Sequence, residues 1–302
     1  MDGGLATELE ARGQDLNHPL WSARLLSEDP DSIREVHLAY LEAGADCIIT
    51  ASYQASFEGF AAQGFTFEES TRLLQRSVEL ALEARKRFLG KRDVSHRPPL
   101  VAASVGPYGA ALADGSEYRG DYQITRRQLL DFHSVRWRLL EQSKADLLAC
   151  ETIPSRMEAE VLLELIRSSP GKPVWVSFSC ADGSHIRDGT PLSQVARLFR
   201  GCPNVVAVGI NCSAPGLISS LIEAVKKGVP KKPIVVYPNS GETYDAGSKV
   251  WRGHGRQSSV QQWTAAAGKW FECGARLIGG CCRTGPEHTV ATRKALATLT
   301  RG

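Results

Sequence analysis

Two cysteines stand side by side, Cys281 and Cys282, directly after Gly279-Gly280, and a third, Cys212, follows Gly209-Ile210-Asn211. Neighbouring cysteines make poor disulfide partners, because their Cα atoms are too close and their Cβ vectors diverge. As thiolates they suit a metal. Three sulfurs at ~2.3 Å match Zn²⁺, and three protein ligands with a fourth position open is the pattern of catalytic rather than structural zinc. Taken alone, Cys212 reads as a small buried hydrophobe, as do Cys47, Cys150, Cys180, Cys202 and Cys273. The Gly-Gly-Cys-Cys run shifts that balance, since glycine lets backbone approach closely. Four further polar residues fall at the ends of apolar runs: Asp2, Thr50, Glu151 and Asn239. Each of the first three has an ordinary alternative: a helix N-cap for Asp2, an ion pair for Glu151 and a side-chain-to-backbone bond for Thr50. The seven histidines are scattered, and His254 in Gly253-His254-Gly255 reads as a loop residue.

The elements that must position these residues follow from alternation. Short apolar runs at Asp46–Thr50, Leu100–Ser104, Asp146–Glu151, Val174–Ser179, Val205–Asn211, Ile234–Tyr237 and Arg276–Gly280 are separated by helix-period segments. Continuous apolar strands between helices mark a parallel sheet covered on both faces. Trp175 and Phe178 read as core on the fifth strand of a complete barrel. Asp29-Pro30 opens a helix whose apolar stripe is Ile33, Val36, Tyr40 and Leu41. Thr66 with Glu69, Thr125 with Gln128, Ser155 with Glu158 and Ser259 with Gln262 fit the capping box. Glu42-Ala43-Gly44-Ala45-Asp46 and Glu272-Cys273-Gly274-Ala275-Arg276 look like copies of one helix-to-strand joint. Seven strands, with Asp2-Gly3-Gly4 as the tail of an eighth, predict an α/β (β/α)8 barrel as one domain over residues 1–302. Strand one is expected to be truncated, either because the sequence is a truncated product or because the barrel is open at that seam, with Asp2 on a free N-terminus. No G-x-G-x-x-G and no P-loop supports the rival, an open doubly wound sheet. In a barrel the strand C-termini would aim the polar residues at one mouth.

The composition narrows the class. The chain of 302 residues has 36 Lys and Arg against 33 Asp and Glu, a net charge of +3, with 42% hydrophobic residues. This is globular composition with no electrostatic case for nucleic acid. No run approaches a membrane span, and Met1-Asp2-Gly3-Gly4 lacks the features of a signal peptide, so a cytoplasmic location is expected.

Gly279-Gly280-Cys281-Cys282-Arg283-Thr284, Gly209-Ile210-Asn211-Cys212 and Asp2-Gly3-Gly4 resemble the homocysteine S-methyltransferase family over the whole chain. Gly106-Pro107-Tyr108-Gly109, the segment Asp114–Tyr122 and Tyr237-Pro238-Asn239-Ser240-Gly241-Glu242 are similar to the branch that uses sulfonium methyl donors. The resemblance implies one Zn²⁺ held by Cys212, Cys281 and Cys282, with the homocysteine thiolate as fourth ligand. It places Asp2 and Glu151 at the substrate ammonium, Gly3 and Gly4 at its carboxylate and Thr50 beside them. Ser116, Glu117, Tyr118 and Asn239 are the implied donor contacts, with a solvated polar loop as the ordinary alternative for the first three. The implied reaction makes methionine from homocysteine and S-methylmethionine, or S-adenosylmethionine. S-methylmethionine is preferred because no nucleotide loop is visible. Selenocysteine as acceptor, betaine as donor, and a zinc-binding or thiol-sensing barrel without turnover are the alternatives. A monomer is expected rather than a tetramer.

Overall fold

The computed structural model describes residues 1–91, 97–169, 171–241, 243–245, 250–252 and 256–299, with the backbone alone for 243–245, 250–252 and 256–259. Seven parallel strands form one sheet in chain order: β1 (Cys47–Ile49), β2 (Leu100–Val105), β3 (Leu147–Ile153), β4 (Val174–Phe178), β5 (Val205–Asn211), β6 (Ile234–Tyr237) and β9 (Ala275–Ile278). Between the last two, β7 (Thr243–Asp245) and β8 (Val250–Arg252) pair as an antiparallel hairpin. The helices are α1 (Leu5–Ala11), α2 (Leu25–Glu28), α3 (Pro30–Glu42), α4 (Phe57–Ala62), α5 (Phe67–Gly90), α6 (Tyr108–Leu112), α7 (Arg126–Gln142), α8 (Arg156–Ser168), α9 (Leu192–Arg197), α10 (Ile218–Gly228), α11 (Arg256–Glu272) and α12 (Pro286–Leu299).

The sheet curls as a barrel, and the expected open seam is bridged at the mouth. Met1 and Asp2 lie between β9 and β1. The Met1 nitrogen donates to the Ile278 carbonyl at 2.8 Å, and the Asp2 amide to Cys47 O at 3.0 Å. The Gly280 amide returns to Asp2 O at 2.9 Å. Backbone groups on both flanking strands thereby find partners, which a buried strand edge requires. Asp2 is therefore fixed rather than loose.

Local chemistry explains the helix starts. Asp29 accepts the Ser32 amide ahead of Pro30, and Ile33, Val36, Tyr40 and Leu41 are buried as their spacing predicts. Thr66–Glu69 and Thr125–Gln128 close reciprocal capping boxes. The Ser155 box is one-sided: Ser155 Oγ accepts the Glu158 amide at 3.3 Å, but the Glu158 side chain turns elsewhere. The Ser259 box and His254 fall outside the described side chains. The paired joints are confirmed by left-handed Gly44 (φ +97°) and Gly274 (φ +111°), which end α3 and α11 just before β1 and β9.

Two apolar layers result. Helices pack outside the sheet, with Phe178 in that layer, while Cys47, Ala102, Leu147, Ala149, Trp175, Ala207 and Val235 fill the barrel interior. The Trp175 indole donates to Tyr237 Oη at 3.0 Å, satisfying its one polar atom. Cys47, Cys150, Cys180 and Cys202 are buried, and Cys273 is half-buried, in keeping with their reading as small hydrophobes.

Candidate active site

Three sulfurs meet where β5 ends and the segment after β9 begins. Cys212 Sγ lies 2.8 Å from Cys281 Sγ and 3.6 Å from Cys282 Sγ, and all three fall within 4.8 Å of one another. Cys212 sits in left-handed backbone at φ +48°, and its amide donates to Tyr237 O at 3.2 Å. The Cys281 amide donates to Pro238 O at 2.8 Å, and Cys282 O accepts from the Ser240 amide at 3.1 Å. The end of β6 thus braces both halves of the cluster. Gly280 is required by space: a Cβ there would stand 2.2 Å from Thr284 Oγ1, and one on Gly279 would stand 2.7 Å from Met1 Cβ. Thr284 locks the turn, its hydroxyl donating to Cys281 O at 2.7 Å while its carbonyl accepts from Tyr40 Oη at 3.0 Å and the Gly4 amide at 3.1 Å.

The donor set fits a metal such as zinc. Ligands ~2.3 Å from a tetrahedral centre lie ~3.8 Å apart; the Cys212–Cys282 separation of 3.6 Å is near that, while Cys212 and Cys281, at 2.8 Å, would have to part by about 1 Å to hold the ion. Hydrogen bonds from Cys212 and Cys281 hold the Cys282 thiol well below its usual range, while hydrogen bonds with Cys212 and Cys282, with burial, push Cys281 up.

Two carboxylates share this mouth. Ser104 Oγ donates to Glu151 Oε1. Glu151 is placed by an irregularity in β3 between Cys150 and Ile153, where Thr152 adopts φ +61°. Asn211 secures that bulge from β5: its Oδ1 accepts the Thr152 amide at 2.7 Å and its Nδ2 donates to Thr152 Oγ1 at 2.7 Å. Asp2 Oδ2 accepts the Ile49 amide at 2.6 Å, while Asp2 Oδ1 is buried without a protein partner. Burial raises both carboxyls to about 7, against hydrogen bonds that lower them. A cation between them would relieve that cost.

Asp2, Gly3, Gly4, Thr50, Glu117, Tyr118, Glu151, Cys212, Cys281 and Cys282 all line one cavity of about 970 Å³. Tyr118 Oη stands 3.5 Å from Cys212 Sγ and 3.8 Å from Cys282 Sγ. Burial raises Glu117 to about 7, and its Oε2 has no partner. Other expected residues are less direct. Thr50 Oγ1 is engaged with Ser52 Oγ at 2.7 Å and the Ser104 amide at 3.0 Å, the ordinary alternative foreseen for it. Gly4 gives its amide to Thr284 rather than to open space. Ser116 turns to Asp114 and Arg119, outside the cavity lining. Asn239 is also outside that lining. Sequence reasoning missed Tyr53, Trp21 and the Tyr237 ring, all in the wall. Tyr237 ends an apolar run, which was the available signal. Tyr53 lies in a loop and Trp21 opens a short 3-10 helix, Trp21–Arg24, and neither carried a signal.

The sequence profile described as homocysteine S-methyltransferase matches residues 1–296. The chain belongs to the homocysteine S-methyltransferase family. Homocysteine S-methyltransferase YbgG of Bacillus subtilis is 50% identical over 290 residues, covering 95% of this chain and 91% of that protein. Selenocysteine Se-methyltransferase of Brassica oleracea var. italica is 48% identical over 309 residues, covering 98% of this chain and 88% of its own. The metallated form of homocysteine methyltransferase MmuM from Escherichia coli superposes with a TM-score of 0.85 at 46% identity, over 97% of this chain and 94% of that one. In this chain the sulfur cluster and the paired carboxylates open onto one mouth, at the strand C-termini of the barrel. Among the described residues no helix is long and apolar enough to cross a membrane.

Proposed function

We propose that this chain transfers a methyl group from S-methylmethionine to homocysteine with one Zn²⁺ held by Cys212, Cys281 and Cys282. The observation that carries the reading is the convergence of three sulfurs with two buried carboxylates on one cavity. When bound, the ion accepts the homocysteine sulfur as a thiolate at neutral pH, where a free thiol of pKa ~8.5 is mostly protonated. The chain supplies the rest. Asp2 and Glu151 bind the ammonium through charge-assisted hydrogen bonds, and Asp2 Oδ1 is the acceptor still free to do so. The Gly3 amide, without a hydrogen-bond partner among the described residues, faces the carboxylate, with Gly4 and Thr50 shaping that side. Glu117 and Tyr118 meet the sulfonium donor, whose positive charge suits a buried carboxylate; Ser116 and Asn239 hold their segments behind them. In the transfer one S–CH₃ bond forms on the acceptor sulfur as another breaks, and the bonding pair stays on the donor sulfur. Both products of S-methylmethionine are then methionine. In-line alignment of the three reacting atoms is what the cavity must impose.

S-adenosylmethionine is the runner-up donor, and the cavity of about 970 Å³ leaves room for it. Selenocysteine is the second acceptor, favoured by the name of a relative 48% identical. The proposal takes residues 1–302 as one homocysteine-binding domain that works as a monomer in the reducing cytoplasm, where its eight free cysteines would persist. The test is incubation of zinc-loaded protein with homocysteine and methyl-labelled S-methylmethionine, read by mass spectrometry, with parallel S-adenosylmethionine, betaine and selenocysteine arms. Labelled methionine above a no-enzyme control is expected. Cys212→Ala, Cys281→Ala and Cys282→Ala should each lose zinc and turnover; full zinc occupancy in any of them would overturn the ligand set.

A further inference from the structure

The side chain that failed to complete its capping box leads to a second layer behind the mouth. Glu158, the third residue of α8, is fully buried, and its carboxylate gathers three donors from three different segments. Oε1 accepts the Tyr108 amide at 2.6 Å and pairs with His133 Nε2 of α7 at 2.8 Å. Oε2 accepts the Tyr122 hydroxyl at 2.7 Å. Tyr108 and Tyr122 are the two ends of a single excursion after β2, and their rings meet edge to face at 5.5 Å. Between those ends the chain folds tightly on itself. A Cβ on Gly109 would stand 2.5 Å from the Glu117 amide and 2.7 Å from Tyr122 Cε1. The tip carries Glu117 and Tyr118 into the cavity, with the Tyr118 hydroxyl at the sulfur cluster.

We propose that Glu158 is a positioning residue for the methyl donor, clamping both ends of the Tyr108–Tyr122 excursion so that Glu117 and Tyr118 are held at the mouth. This rests on the reading of that excursion as the donor side of the site. The clamp is suited to the task because a buried side chain whose two oxygens each take partners from elements distant in sequence has little freedom to reorganise. A loop alone would be mobile on its exposed side, and an error of one ångström at the reacting atoms is expensive in rate. The chain separates the groups that react from the group that holds them: Glu158 lines no part of the cavity.

Tyr122→Phe removes one tether and leaves the ring packing. It is expected to raise the KM for the sulfonium donor and lower kcat, for a loss of about tenfold in kcat/KM, with homocysteine KM and zinc content unchanged. Glu158→Gln should stay near the parent, since the amide oxygen can keep the two Oε1 partners while its NH₂ donates to a rotated Tyr122 hydroxyl. Glu158→Leu should reproduce or exceed the Tyr122→Phe loss. Tyr118→Phe and Glu117→Gln serve as the reference for the donor reading itself. If those two impair donor kinetics and Tyr122→Phe does not, the clamp is wrong while the donor loop stands. If none of the three changes donor kinetics, the donor reading fails and takes the clamp with it. A Tyr122→Phe variant that loses zinc, or shifts homocysteine KM as much as donor KM, also overturns the proposal, because a general loosening would do that.

Discussion

At the scale of single residues, the site is built from groups whose charge is costly until substrate arrives. Asp2 and Glu151 are raised from 3.8 and 4.5 to about 7 by burial. For acids shifted upward, the folded state keeps protons that the unfolded chain releases first. Their contribution to stability is therefore complete below about pH 4 and is lost as pH rises toward 7. Glu151→Gln removes that penalty. It should melt higher than the parent at pH 8, by a difference on the order of 3 kcal/mol at most, while homocysteine KM rises and zinc stays bound. Thermal melts across pH 4–8, with zinc determined on the same samples, check all three. A zinc loss would instead give Glu151 a role in orienting the metal ligands. If Asp2 and Glu151 hold the ammonium as proposed, homocysteine KM should climb as pH falls below about 7, because both carboxyls must then be ionised.

At the scale of elements, side chains bind strand to strand close to the chemistry. Asn211 sits next to Cys212 and holds the Thr152 bulge that aims Glu151, so one residue couples the sulfur cluster to the Glu151 side of the cavity. Asn211→Ala leaves the buried Thr152 amide without an acceptor, which costs about 1–3 kcal/mol in a urea melt. It should also raise homocysteine KM more than donor KM, since the bulge carries Glu151, the proposed ammonium ligand. Equal effects on both substrates would show that the bulge is not aimed by Asn211. The joints before β1 and β9 were legible from their shared Glu-x-Gly-Ala pattern, because a helix stop of this kind is local. The bulge in β3 was not legible: it arises from β3 pairing with β4, and nothing in Cys150–Ile153 alone marks it.

Across the whole molecule, the ends of the chain are joined through the site. Met1 and Asp2 lie between β9 and β1, Gly4 is tied to Thr284, and Cys212 faces Cys281 and Cys282. A metal on those sulfurs would cross-link the end of β5 to the segment after β9. Chelation should then lower Tm by roughly 5 °C or more, by removing a ligand bound only to the folded state. Faster amide exchange should be concentrated at residues 1–4, 209–213 and 279–285 rather than spread over the barrel. Uniform exchange, or an unchanged Tm, would mean that the cluster holds no stabilising ion.

What the sequence settled by itself was the part carried by local pattern. Apolar runs between helix-period segments predicted the parallel strands, and adjacent cysteines after two glycines pointed to thiolate chemistry because they could not sensibly be a disulfide. The family resemblance then supplied roles for the three cysteines, Asp2 and Glu151. Tertiary structure alone decided the rest. It placed two N-terminal residues in the gap between the first and last strands, since hydrogen-bonding groups on both sides need partners there. It engaged Thr50 and Gly4 within the fold and turned Ser116 away from the cavity, while it brought Tyr53, Trp21 and Tyr237 into the wall. It also took Glu158 from a helix cap to the centre of a buried clamp, because His133, Tyr108 and Tyr122 reach it from elements distant in sequence. Which partner a polar side chain finds is set by the packing of those elements, and no local spacing encodes it.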